Sequence, residues 1–153
     1  MIPDGGFRNV VTEESFKSIS DEKNNTKNRL QLAMDGPSVV DFTLREIYPS
    51  IIELFEYYKQ DLDKVDKFLF HQSNKFIIKQ IAAKLAAGED KVPINIQDYG
   101  NTSGVSIPLL ISSLNDGFSK TAKVVCSGYG SGLNWGNCII DISKTKIERI
   151  KEI

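Results

Sequence analysis

Apolar residues recur at Val40, Leu44, Ile47, Ile51, Leu54, Phe55 and Tyr58. This spacing has the period of a helix with one buried face and predicts a long helix over 39–58. Ser38 is placed to cap it. Pro49 is expected to kink it or to start a second segment. Upstream, 29–34 alternates as a short strand does and is closed by Asp35-Gly36-Pro37. The stretch 18–28 is rich in Lys, Asp, Glu and Asn and reads as a solvated loop. Downstream the pattern changes period twice. An apolar strand at 68–70 runs into His71-Gln72-Ser73. A helix over 74–87 follows, buries Ile77, Ile78, Ile81 and Leu85, and is ended by Gly88. A second strand, 92–96, leads into Gly100-Asn101-Thr102-Ser103 and a helix over 103–114. Strands at 122–126 and 138–142, joined by a glycine-rich segment, complete the chain. The alternation β-α-β-α-β-α-β-β predicts an α/β fold. Its sheet is mostly parallel, with helices on both faces and one antiparallel edge strand.

Composition narrows the function classes. A chain of 153 residues fits one domain with a real core. Nineteen basic and 20 acidic residues leave a formal charge of -1, which argues against nonspecific nucleic-acid binding. No apolar run has the length of a membrane span, so no membrane partner is expected. Met1-Ile2-Pro3-Asp4-Gly5-Gly6 has no basic stretch followed by an apolar one, so no secretory signal is expected. Cys126 and Cys138 lie in apolar runs and read as reduced core residues of a cytoplasmic protein, with a disulfide across the turn as the alternative.

Three places can carry chemistry. His71, the only histidine, stands at a strand C-terminus, where α/β sheets gather ligands. It is a structural histidine, or a group that donates to a developing oxyanion or moves a proton. A metal site is not expected, because there is no second histidine and the cysteines are remote. Asn101 follows Gly100 in a strand-to-helix turn. It either helps start the helix or donates its amide to the same oxygen as His71. The segment 127–136 holds Gly128, Gly130, Gly132 and Gly136 with Tyr129 and Trp135 between them. It does not fit a phosphate loop, since a strand follows it and no Lys-Ser/Thr pair ends it. It is a strained turn offering backbone N–H groups, or a hairpin with aromatic packing.

Phe70-His71-Gln72-Ser73-Asn74, Gly100-Asn101-Thr102-Ser103 and 128–136, in this order, resemble the C-terminal half of the thiolase-superfamily condensing enzymes. The resemblance is closest to β-ketoacyl-acyl-carrier-protein synthase III. Met34-Asp35-Gly36 matches as well. The resemblance implies half of a thiolase-like fold, with a five-stranded mixed sheet of order 3-2-1-4-5 whose last strand is antiparallel. It divides the chain into a connector, 1–28, from a missing N-terminal half and a thiolase-like domain, 29–153. It implies that His71 and Asn101 hold an enolate oxygen during decarboxylative condensation of an acyl-coenzyme A with a malonyl-carrier thioester. The backbone N–H of Ser131 serves a second oxyanion hole, Asn74 lines the pantetheine channel, and Tyr129 and Gly130 contact the acyl group. The nucleophilic cysteine belongs to the other half, and neither Cys126 nor Cys138 occupies its motif. No cofactor is implied, because coenzyme A and carrier phosphopantetheine arrive as substrates. The implied partners are the cysteine-bearing half, the acyl-carrier protein, acyl-coenzyme A and a second copy of the chain.

The sequence departs from the family pattern at Phe70, where many relatives have proline, and at Phe76, where an arginine often grips the carrier. It departs again at Pro37 for asparagine and at Ser131 for glycine. Two further readings stand beside this one: a coenzyme-A-only condensing enzyme of secondary metabolism, and a non-catalytic or split-enzyme partner subunit.

Overall fold

The computed structural model describes residues 9–20, 24–31, 35–114, 117–118, 122–130 and 132–151. The chain forms two compact units, 1–39 and 40–153. In the first, Ile19–Ser20 (β1) and Thr26–Lys27 (β2) pair antiparallel, so a small ladder stands where a loop was expected. The expected strand at 29–34 is absent over its described part. Asn28 Oδ1 accepts from Leu30 N at 3.0 Å and folds that stretch into a turn, a local bond that competes with strand pairing. Residues 32–34, Met34 among them, lie outside the described residues.

A helix runs from Gly36–Tyr57 (α1) through Pro49 without a break. Asp35, not Ser38, caps it: its carboxylate accepts from Ser38 N at 3.2 Å and from Ser38 Oγ at 2.6 Å. These bonds hold the Asp35 carboxyl below its usual range. Ile47, Ile51 and Phe55 form the buried stripe that the sequence spacing predicts.

The second unit is built on one sheet of Lys67–Phe70 (β3), Lys123–Gly130 (β4) and Asn134–Asp141 (β5), in the order β3-β4-β5. β3 and β4 are parallel, with Phe68 opposite Val125. β4 and β5 are antiparallel, with Cys126 opposite Cys138. Alternate side chains go to opposite faces. Phe68, Phe70, Val125 and Tyr129 meet Ile47, Ile51 and Phe55 of α1 and Ile77, Ile78 and Ile81 of Lys75–Lys84 (α2). Leu69 and Val124 meet Leu110 of Ser106–Leu114 (α4), with Ile107 and Ile111 beside it. Helices therefore cover both faces, as expected.

The five-strand order is not found. Among the described residues three strands form this sheet, and β3 lies directly against β4 with nothing between them. The expected strand at 92–96 is a bend and an irregular stretch leading into a short helix, Ile96–Tyr99 (α3). Pro93 has no N–H to give a ladder. Phe68 N still bonds Lys91 O at 2.8 Å, but Asn95 N is taken by the side chain of Gln72 at 3.0 Å.

α2 ends before Gly88. Leu85 is its last cap, and Ala86 takes the left-handed turn at φ 52°. Ala86 N bonds Ala83 O and Ala87 N bonds Ala82 O, the two bonds of a Schellman end. Glycine is free of the Cβ clash that Ala86 carries there. Ala86→Gly is therefore expected to stabilise the chain by about 1 kcal/mol, net of glycine's greater unfolded entropy. Thermal unfolding should show a midpoint a few degrees higher.

The helix expected over 103–114 begins as a 3₁₀ turn, Ser103–Val105, and only Ser106 and Leu110 of α4 are fully buried. Val105 is 60% exposed, so this apolar segment is covered on one side only. Cys138 is exposed and Cys126 half-buried, which corrects the expectation of two core thiols; both are free. No helix among the described residues is long and apolar enough to cross a membrane.

Candidate active site

His71 leaves the end of β3 and prolongs its ladder, with its N–H bonded to Ser127 O at 2.9 Å. Its carbonyl accepts from the Tyr129 hydroxyl at 3.2 Å and from Ser73 N at 2.8 Å. The imidazole stands edge-on to the Tyr129 ring, centroids 5.6 Å apart. Its Nδ1 lies 2.7 Å from Ser106 Oγ, in the first turn of α4. β4 thus holds the backbone N–H and the carbonyl, and α4 holds the ring. The ring is half-buried, and that burial lowers its pKa below the ordinary 6.5.

The pH consequence has a definite sign. A depressed histidine pKa means that the unfolded chain binds the proton more readily. Its stabilising contribution is complete above 6.5 and is lost as pH falls toward the lower folded pKa. Histidine NMR should give a midpoint below 6.5, and urea unfolding should show stability falling in that window; a midpoint at or above 6.5 would contradict the burial.

Asn101 is exposed and follows Gly100, whose φ of 67° and ψ of -162° suit glycine almost alone. Its Oδ1 accepts from Ser103 N at 2.9 Å, which orients the carboxamide. The amide nitrogen has no acceptor among the described residues. The turn then feeds α4, and Ser106 ties that helix to His71. The two turns that the sequence singles out are thereby joined through one hydroxyl.

The glycine-rich segment is a hairpin. Strand pairing continues through Gly128↔Gly136, Tyr129↔Trp135 and Gly130↔Asn134, so most of the expected turn is ladder. In that register Trp135 stands edge-on to Phe42 of α1, ring centroids 5.3 Å apart, while Tyr129 stands edge-on to His71. Tyr129 is 7% exposed, and burial pushes its phenol up to about 12, opposed in part by the Ser73 hydroxyl. Gly130 ends β4. Ser131 lies outside the described residues. Asn74 is exposed and caps α2, its Oδ1 accepting from Phe76 N at 2.8 Å. Cys126 is not a ready nucleophile: burial first, and the neighbouring Cys138 second, push its thiol up to about 12.

Sequence reasoning missed two residues of this site. Gln72 is 1% exposed, accepts from Asn95 N and donates to Phe70 O at 3.0 Å, locking the turn after β3. Ser106 is 2% exposed. The only signal for it was one hydroxyl within the apolar run from Val105 to Ile111.

A neutral imidazole and an oriented carboxamide are both hydrogen-bond donors suited to a developing oxyanion. A family profile described as "3-Oxoacyl-[acyl-carrier-protein (ACP)] synthase III C terminal" matches residues 57–142, a span that includes His71, Asn101 and the hairpin. The chain is 42% identical over 115 residues to the β-ketoacyl-[acyl-carrier-protein] synthase III of Streptococcus gordonii, covering 72% of this chain and 36% of that protein. A crystal structure of 3-oxoacyl-(acyl-carrier protein) synthase from Burkholderia xenovorans superposes with a TM-score of 0.77 at 33% identity, over 97% of this chain and 42% of that one. A 3-oxoacyl-(acyl-carrier-protein) synthase III crystal structure shares the fold at a TM-score of 0.83 and 24% identity, over 92% and 42%. The chain thus has a thiolase-like α/β fold and spans little more than a third of the length of the curated relatives it matches.

Proposed function

The chain belongs to the 3-oxoacyl-[acyl-carrier-protein] synthase III C-terminal family, and from that premise we propose that it supplies the decarboxylation half of a condensing active site. In this reading a cysteine from an N-terminal half outside this chain accepts an acyl group from acyl-coenzyme A. A malonyl-carrier thioester then loses carbon dioxide, and the enolate oxygen that forms accepts hydrogen bonds from His71 Nε2 and Asn101 Nδ2. The carbanion attacks the acyl-enzyme, and the Ser131 N–H holds the oxygen of that second step. Tyr129 backs His71 and, with Gly130, bounds the acyl end, while Asn74 faces the pantetheine arm. Residues 1–28 are the connector between the halves, and the working particle is a cytoplasmic homodimer.

The observation that carries this reading is the anchoring of His71. A side chain held at its backbone N–H, its carbonyl and its ring is positioned as a preorganised donor must be. Phe76, 58% exposed where the family resemblance implies a carrier-gripping arginine, favours a second reading in which coenzyme A thioesters replace the carrier.

The test is reconstitution. Alone, the chain should form no acyl-enzyme with radiolabelled acyl-coenzyme A, since thioester attack needs a thiolate and Cys126 is held as a thiol. Co-expressed with the cysteine-bearing half of a related synthase III, it should restore condensation. Label on Cys126 or Cys138, or no activity from a well-formed complex, would overturn the reading. Acyl-carrier and acyl-coenzyme A co-substrates, compared side by side, separate the two versions.

A further inference from the structure

Ser106 is buried, and a buried hydroxyl must place its hydrogen on an acceptor. Among the described residues its Oγ has two polar neighbours, His71 Nδ1 at 2.7 Å and Gln72 N at 3.3 Å. The Gln72 N–H can only donate, so it occupies a lone pair of Oγ. Gln72 itself cannot swing away, because its side chain is tied to Asn95 N and Phe70 O. No carbonyl among the described residues accepts from Ser106. The hydroxyl hydrogen is left with one acceptor, Nδ1 of His71. That nitrogen must then carry its lone pair, and the ring proton of the neutral imidazole must sit on Nε2.

We propose that Ser106 is a positioning residue that fixes His71 as the Nε2–H tautomer, through a relay from Gln72 N–H to Ser106 Oγ–H to His71 Nδ1. Bonds in such a chain polarise one another, and the relay runs through groups shielded from water. Nε2 has no acceptor among the described residues, so its proton is free for a ligand. In the opposite tautomer Nε2 would present a lone pair, and an oxyanion would be repelled. That catalytic meaning rests on the proposed function; the tautomer does not.

The single histidine makes the test direct. In the chain labelled with ¹⁵N-histidine, above the His71 titration, long-range proton–nitrogen spectra should show Nε2 protonated and Nδ1 at the shift of a lone-pair nitrogen. Ser106→Ala should draw the two nitrogen shifts toward each other as the tautomers mix, and Ser106→Thr, which keeps the hydroxyl, should restore the wild-type pattern. Nδ1 protonated in the wild type would overturn the proposal, and this holds even if the alanine variant fails to fold. Unchanged shifts in a folded Ser106→Ala would overturn it as well. The expected spectra together with a His71→Ala enzyme that decarboxylates normally would leave the tautomer standing and sink the catalytic reading instead.

Discussion

His71→Ala, in the chain paired with a cysteine-bearing half, should slow malonyl-thioester decarboxylation by about 10²–10³-fold, the usual effect of removing one oxyanion-hole donor. Asn101→Ala should lose a similar factor. The double variant should fall well short of the product of the two, since donors that share one oxygen act as a unit. Acylation of the cysteine should be nearly untouched in all three, because the proposed role of both donors begins with the malonyl group. Carbon dioxide release, measured beside a single-turnover acylation assay, separates the steps. Equal losses in both steps would mean that the variants damage the fold or the interface rather than the enolate site. Unchanged carbon dioxide release would end the assignment of His71.

Phe70→Ala should remove a large share of the chain's stability. Phe70 is fully buried, stacks on Phe68 with ring centroids 6.5 Å apart, and belongs to the cluster where α1 and α2 meet the sheet. Truncating a buried phenylalanine costs about 3–5 kcal/mol. A small domain has about 5–15 kcal/mol in total. Phe76 is the control: 58% exposed on α2, its replacement by alanine should change stability by no more than about 0.5 kcal/mol. Urea midpoints measured in parallel decide the matter, and similar shifts for both would show that the core is not where the structure places it.

The two longest helices were legible because their apolar stripes are long and regular. Ile47, Ile51 and Phe55 on α1, and Ile77, Ile78 and Ile81 on α2, could face only a core. The three strands of the main sheet were legible for the same reason, although their ends were not. Glycines at 128, 130 and 136 left a strained turn and a hairpin with aromatic packing both open, and only the strand pairing of Tyr129 with Trp135 decides for the hairpin. The failures elsewhere have identifiable competitors. At 92–96 a proline and a glutamine side chain replace the ladder; at 29–31 an asparagine side chain does. In the candidate site, His71 and Asn101 could be singled out by their place before helices. Ser106 could not, since its partner lies in another turn and only the folded chain brings them together.

The dependence of His71 on β4 also constrains the order of events when the protein is made. Its N–H and its carbonyl are both held by residues more than 50 positions downstream, Ser127 and Tyr129. Contacts between such distant segments form late, because the intervening loop must close first. On the ribosome, β3 and α2 emerge with the histidine turn still unsupported, and the apolar edge of β3 waits for a strand not yet synthesised. That interval is when the chain is most exposed to misassociation. The last third of the sequence therefore acts as the gate to maturation: until β4 slides in beside β3, the histidine is only a residue on a loop.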